Sequence, residues 1–277
     1  MKKTLKKLNR YRQYFGLYLQ SQFYAMVNHG WLKKPVATPV SQYDHTASHS
    51  SHPVFQALSS AFAYQFNEAA CSAASTATVL NAGKTILNGH TASHRITQHE
   101  ILKKVDAADW AARISPEGFR NRRGLPLGHL GTAVKKAFEV YEVPCESMET
   151  VPLFDRSARP DILQRTLLER LAYFQNSRYC FLIAHFNQGV FLKGLHLPHI
   201  SPVMSVDMEH KMVCILDVDP QVKEPYWISL DTFWKGLSWR YGGIIRKHGY
   251  EGGGYIWIKL KKPESSAFPV QNLPDGV

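Results

Sequence analysis

Two patterns in succession predict an α+β fold. Up to about residue 176, apolar residues recur at helical spacing between capping signals; from Tyr179 onward the chain breaks into short runs of β-branched and aromatic residues. Helices first, then strands with a single inserted helix, predict helices packed on an antiparallel sheet.

Segment 1–31 has no acidic residue and carries Leu5, Leu8, Phe15, Leu19, Phe23 and Val27 at helical spacing. Gln20, Ser21 and Gln22 interrupt its apolar part, so it is a poor secretory core. Two readings stand: a targeting or membrane-surface helix suited to an acidic surface, or an accessory helix packed on the domain. Residues 32–52, rich in Pro, Ser and His, are expected as a linker. Residues 53–261 are expected as the main domain, and 262–277, without periodicity, as a mobile tail.

Within the main domain a helix of small residues is expected from Cys71 to Ala82, with Gly83 as a left-handed cap. Thr97 and Glu100 have capping-box spacing at the start of a helix over 97–110. Leu127, Leu130, Val134, Ala137, Phe138 and Tyr141 share one face of a helix over 127–141, and 160–176 is a further helix. Strands are expected at 179–186, 200–206, 212–218 and 254–260. A short helix from Ser229 to Trp239 is capped by Ser229.

The net charge of +11 suggests nucleic acid until it is located. Eight of the 33 Lys and Arg residues precede the first acidic residue, Asp44, leaving 25 against 22 acidic residues, or +3. A basic face on the folded domain is therefore not expected, and no nucleic-acid partner is assigned. Cys71, Cys145, Cys180 and Cys214 lie far apart, which excludes zinc-ligand spacing and points to free thiols. No apolar run reaches the ~18 residues of a membrane span. The pentapeptide HTASH occurs at 45–49 and 90–94, giving His45/His49 and His90/His94 pairs. That spacing suits a metal on a helix, but both copies sit in loop-like sequence, so no metal ligand is assigned.

Cys71 is the chemically suggestive residue. It opens a helix, where the terminus stabilises a thiolate, and small residues behind it allow close packing on a sheet. A buried structural cysteine explains these facts equally. A nucleophile also needs an oriented histidine. His199 begins one strand and Asp217 ends the next; a hairpin centred on Met208 pairs residues summing to 416, placing His199 directly opposite Asp217. A bulge at the turn would shift that register by one. Gln65, six residues before Cys71, could complete an oxyanion hole with the Cys71 N–H. The order Gln, Cys, His, Asp is that of a papain-type cysteine peptidase.

These residues resemble the phytochelatin synthase family, the glutathione γ-glutamylcysteinyltransferases, in its short bacterial form. "QFNEAACSAASTATVLN" is similar to the family's nucleophile segment, keeping Gln65, Asn67, Ala69, Cys71, Val79, Leu80 and Asn81. "ISPEGFRNRRGLPL", "PHISPVMSV" and "LDVDPQVKEPYWISLDTFW" resemble three further family motifs in order, so the likeness covers roughly 50–260. It implies a papain-like fold with Cys71 as nucleophile, His199 as general base and acid, Asp217 as orienting carboxylate and Gln65 in the oxyanion hole. Glutathione would acylate Cys71, releasing glycine, and water or a second glutathione would take the γ-glutamylcysteinyl group. Cd²⁺ or another thiophilic metal would act as activator or arrive as a substrate thiolate, with no tightly bound cofactor. Pro198 and Ser72 stand where the family has Gly, and Gly253 where it has Arg; Arg246, or Lys247 beside it, is expected to meet a substrate carboxylate instead. These changes favour hydrolysis over polymerisation. A homodimer is an expected assembly, and cytoplasmic and exported or organellar locations both stand. Another γ-glutamyl thiol or peptide as substrate, or a non-catalytic thiol- or metal-binding protein, is the competing reading.

Overall fold

The computed structural model describes residues 36–45, 49–89, 94–120, 122–154 and 159–263. The expected helix over 1–31 and the tail from 264 lie outside these residues. The fold is α+β, with seven strands in one antiparallel sheet: β1 (Thr38–Pro39), β2 (Cys145–Pro152), β3 (Cys180–Asn187), β4 (Pro198–Asp207), β5 (Met212–Ile215), β6 (Tyr226–Ser229) and β7 (Gly254–Leu260). Their spatial order is β1-β6-β5-β4-β3-β7-β2. The central strands β3 and β4 are buried along almost their whole length, which explains runs such as CFLIAHF that do not alternate.

The helices of the first half are α1 (Pro53–Ala61), α2 (Cys71–Asn88), α3 (Gln98–Lys104), α4 (Trp110–Ile114), α5 (Leu127–Val140) and α6 (Pro160–Asn176). Three short helices follow: α7 (Gln188–Leu192), α8 (Leu230–Leu237) and α9 (Gly243–Lys247). The Ser229 hydroxyl accepts from the Thr232 N–H, capping α8 as its sequence predicts.

Every residue of α2 from Cys71 to Gly83 is buried, because α1, α3, α5, β3 and β4 all pack on it. A helix enclosed on all sides must be built of small residues if its neighbours are to approach closely. Several of its polar groups are used internally: Ser75 donates to the Ile200 carbonyl at 2.9 Å, and Asn81 bonds both Ala77 O and the Ile96 backbone, while the buried Thr78 hydroxyl has no partner among the described residues.

Five sequence expectations need correction. Gly83 does not end α2; it packs 3.5 Å from the Val143 side chain (measured from the Cβ it lacks), and the left-handed cap is Gly89, at φ 74°. The helix over 97–110 divides: Thr97 and Glu100 form the expected capping box, but Ala108 and Asp109 have φ of 56° and 51° and interrupt it before α4. Strands β2 and β6 carry no clear strand signal in the sequence; β2 is a half-exposed edge strand interleaved with charge, paired among the described residues only to β7. The expected linker contains β1, which pairs with β6 and extends the sheet.

The fifth correction concerns the hairpin. Asp207 pairs with Met212 around a wider turn in which Lys211 takes φ 56°, and the register shifts between Val203 and Ser205 to pair Val203 with Ile215. The Leu216 N–H then bonds the Pro202 carbonyl. Asp217 is therefore level with Ser201, and His199 reaches it diagonally rather than from directly opposite. Diagonal neighbours lie ~7–8 Å apart, within reach of an imidazole.

Candidate active site

The loop before α2 is fixed by Asn67. Its side-chain oxygen accepts from the Ala69 N–H at 2.8 Å and its amide donates to the Ile114 carbonyl at 3.2 Å. Cys71 thereby becomes the first residue of an 18-residue helix, where free N–H groups and the aligned peptide dipoles favour negative charge. Ser72 beside it is buried and accepts from the Trp110 indole at 2.9 Å.

His199 Nε2 lies 2.7 Å from Asp217 Oδ1, and the imidazole also interacts with the Cys71 thiol. Burial disfavours the His199 cation, but the Asp217 carboxylate, through charge and hydrogen bonding, and then Cys71 outweigh it. The His199 pKa is held well above the ordinary imidazole value. Burial likewise opposes ionisation of Asp217, yet His199, the Asp219 N–H and the Tyr226 hydroxyl hold its pKa below the usual range. The Asp217 contacts are Tyr226 at 2.8 Å, Asp219 N at 3.0 Å and Ser201 Oγ at 3.4 Å.

Cys71, His199 and Asp217 are thus brought together from α2, β4 and the segment just after β5, which stops at Ile215 rather than running to 218 as expected. Gln65 donates its backbone N–H to Val218 O at 2.9 Å, tying the pre-helix loop to the residue after Asp217. Its side-chain oxygen is buried with no partner among the described residues. Arg246 is exposed on α9 and makes no ion pair among the described residues.

The other cysteines have a different chemistry. Burial pushes the Cys145 thiol up to about 11 and Cys180 to about 12, and moves Cys214 well above its normal value. All four are free, and those three are held neutral. The HTASH copies do not converge: His49 bonds Asp207 and His94 bonds Glu100. Among the described residues no group of three or more His, Cys, Asp or Glu side chains is placed to hold a metal ion.

Sequence reasoning missed Ser201, Tyr226, His185 and Tyr250. Ser201 lies two residues from His199 on the same strand face, a signal available from period two; Tyr226 comes from a strand that was not recognised. His185 is wholly buried, with both ring nitrogens unpartnered among the described residues, and burial pushes its pKa down to about 4. Its ring stacks 5.8 Å from Tyr250, whose hydroxyl is raised by burial and then by Cys71.

A family model described as Phytochelatin synthase matches residues 41–250 of the chain, which includes all four of Gln65, Cys71, His199 and Asp217. No curated protein matches the chain.

Proposed function

The chain belongs to the phytochelatin synthase family, the glutathione-directed γ-glutamylcysteine transferases, and we propose that it cleaves the Cys–Gly bond of glutathione through a thioester on Cys71. The observation that carries this reading is the position of His199, bonded to Asp217 at 2.7 Å and turned toward a thiol at a helix start. A nucleophile, a proton carrier and an orienting carboxylate in that order match the papain-type arrangement, and we assign the fold to that class.

In the proposed reaction the Cys71 sulfur attacks the carbonyl carbon of the Cys–Gly peptide. The Cys71 N–H and the Gln65 amide hold the oxyanion; the unpartnered side-chain oxygen of Gln65 supports an amide free to turn its NH₂ toward substrate. His199 gives its proton to the departing glycine nitrogen, the C–N bond breaks, and a γ-glutamylcysteinyl thioester remains. Neutral His199 then takes a proton from water or from the amino group of a second glutathione, which attacks the thioester and restores the thiol. Any Cd²⁺ enters as the metal thiolate of a substrate. The raised His199 pKa supports a protonated imidazole at the leaving-group step.

The test is purified protein with glutathione, following glycine release and product masses with and without Cd²⁺. Release of glycine, a trapped thioester on Cys71, and loss of both in Cys71→Ala are expected. Absence of glycine release, or release undiminished in Cys71→Ala, overturns the reading. Free γ-glutamylcysteine as product indicates hydrolysis, and a product longer by one γ-glutamylcysteine unit indicates transfer.

A further inference from the structure

We propose that Arg113 on α4 is the cation that receives a substrate carboxylate beside Cys71, so that the site selects acids over their amides. Arg113 is only 5% exposed, yet no carboxylate among the described residues pairs with it. Its Nε donates to the Ala108 carbonyl at 3.1 Å, and its Nη2 contacts His129 Nε2 at 3.3 Å. The guanidinium also lies over the Phe119 ring, 5.5 Å from its centre. Burial first, and then Arg113 itself, lower the His129 pKa, so this imidazole is a neutral acceptor. The Asp109 carboxylate acts on the neighbouring His129 ring, but the guanidinium itself, set against a carbonyl, a neutral ring and an aromatic face, has no ion-pair partner among the described residues. Such a buried charge is unfavourable until an anion joins it.

The position of α4 makes substrate the fitting anion. Trp110 at one end bonds Ser72, and the Ile114 carbonyl at the other accepts from Asn67, so both ends of the helix are fastened to residues flanking Cys71. At about 100° per residue, Arg113 lies on the same side of α4 as Trp110 and Ile114. The Arg113 carbonyl accepts from the Gly124 N–H, and Tyr250 donates to the adjoining Arg123 carbonyl at 3.2 Å. The buried Tyr250 hydroxyl, tied to that loop, is raised by burial and then by Cys71, and lowered by Arg113. A planar guanidinium receives a carboxylate in two-point geometry. This inference deepens the glutathione reading, since glutathione carries one carboxylate at each end.

The experiment measures Cys71 alkylation in the full chain by matched acids and amides: iodoacetate with iodoacetamide, and 3-bromopropionate with 3-bromopropionamide. Wild type is compared with Arg113→Met, Arg113→Gln and Arg113→Lys. The acid-to-amide rate ratio should fall about tenfold in the two neutral variants, with the amide rates little changed, and be restored in Arg113→Lys. An unchanged ratio in a folded neutral variant, or a parallel fall of acid and amide rates in all three variants, overturns the proposal; Arg113→Gln serves where Arg113→Met does not fold. Protection of Cys71 by glutathione, its glycine-amidated form and its γ-glutamyl α-amide identifies which carboxylate is held. An Arg113-dependent ratio without any glutathione turnover rejects the glutathione reading and keeps the carboxylate site. Turnover with an Arg113-independent ratio does the reverse.

Discussion

Two carboxylates ten residues apart each collect imidazole and a tyrosine hydroxyl, and only one has the makings of catalysis. Asp217 takes His199 at 2.7 Å and Tyr226 at 2.8 Å; Asp207 takes His49 at 3.2 Å, His210 at 2.9 Å and Tyr43 at 2.9 Å. Both aspartates are buried. The imidazoles differ. His199 is 5% exposed and interacts with a thiol on the first residue of a long helix. His49 and His210, with His45 stacked 3.9 Å from His210, instead line a cavity of about 330 Å³ that contains no cysteine. Asp207 also fastens the segment carrying Tyr43 and His49 to the end of β4. An imidazole–carboxylate pair is therefore a structural device in one place and, in the reaction we propose, a general base in the other, and the helix-start thiol makes the difference.

Asp217→Asn attacks the contrast most directly. It removes the charge that raises the His199 pKa and leaves burial, which lowers it. Turnover should fall by about 10²–10⁴-fold, and the alkaline limb of the pH–rate profile should move to lower pH by roughly 1–3 units. A profile that keeps its alkaline limb would place control of the imidazole elsewhere. Tyr226→Phe keeps the ring and removes one donor to Asp217. Its expected cost is about 1.5–3 kcal/mol of stability by denaturant titration, with a smaller fall in kcat than Asp217→Asn.

Asp207→Asn should give the smallest functional effect. Glycine release is expected to stay within about twofold, because no step of the proposed chemistry touches it. Its signature is in acid. Burial opposes the charged form, but the His210 N–H and imidazole, Tyr43 and His49 outweigh it and hold the Asp207 pKa at about 2. That depression contributes stability above the unfolded carboxylate value near pH ~4, and the contribution is lost as pH falls through about 2. The variant should lack this component of acid unfolding. Hydrogen exchange at 38–43 should also quicken, and unchanged exchange would show that Asp207 does not hold that segment.

The capping box at Thr97 and the helix over 160–176 were readable because their signals are local. The His199–Asp217 pairing was readable as a partnership but not as a register, since the wider turn and the shift at Val203/Ser205 leave no mark in the pattern of apolar residues. Gly83 misled because the same residue type serves as a helix stop and as a place where three elements crowd together. Arg113 could not be singled out at all: an arginine in sequence carries no sign of whether a carboxylate will meet it, and only burial reveals the missing one.

The small-residue face of α2 has a consequence for inheritance. Ser75 stands one turn after Cys71 and is bonded to Ile200, the residue after His199. The sulfur-to-imidazole spacing is thus set by how little volume lies between helix and strand, with one hydroxyl acting as the spacer. A methyl group added anywhere along that seam would act as a lever on the sulfur, though it touched no substrate. In this chain a drift in core size and a drift in reactivity would be a single event, and selection on either would be felt as selection on both.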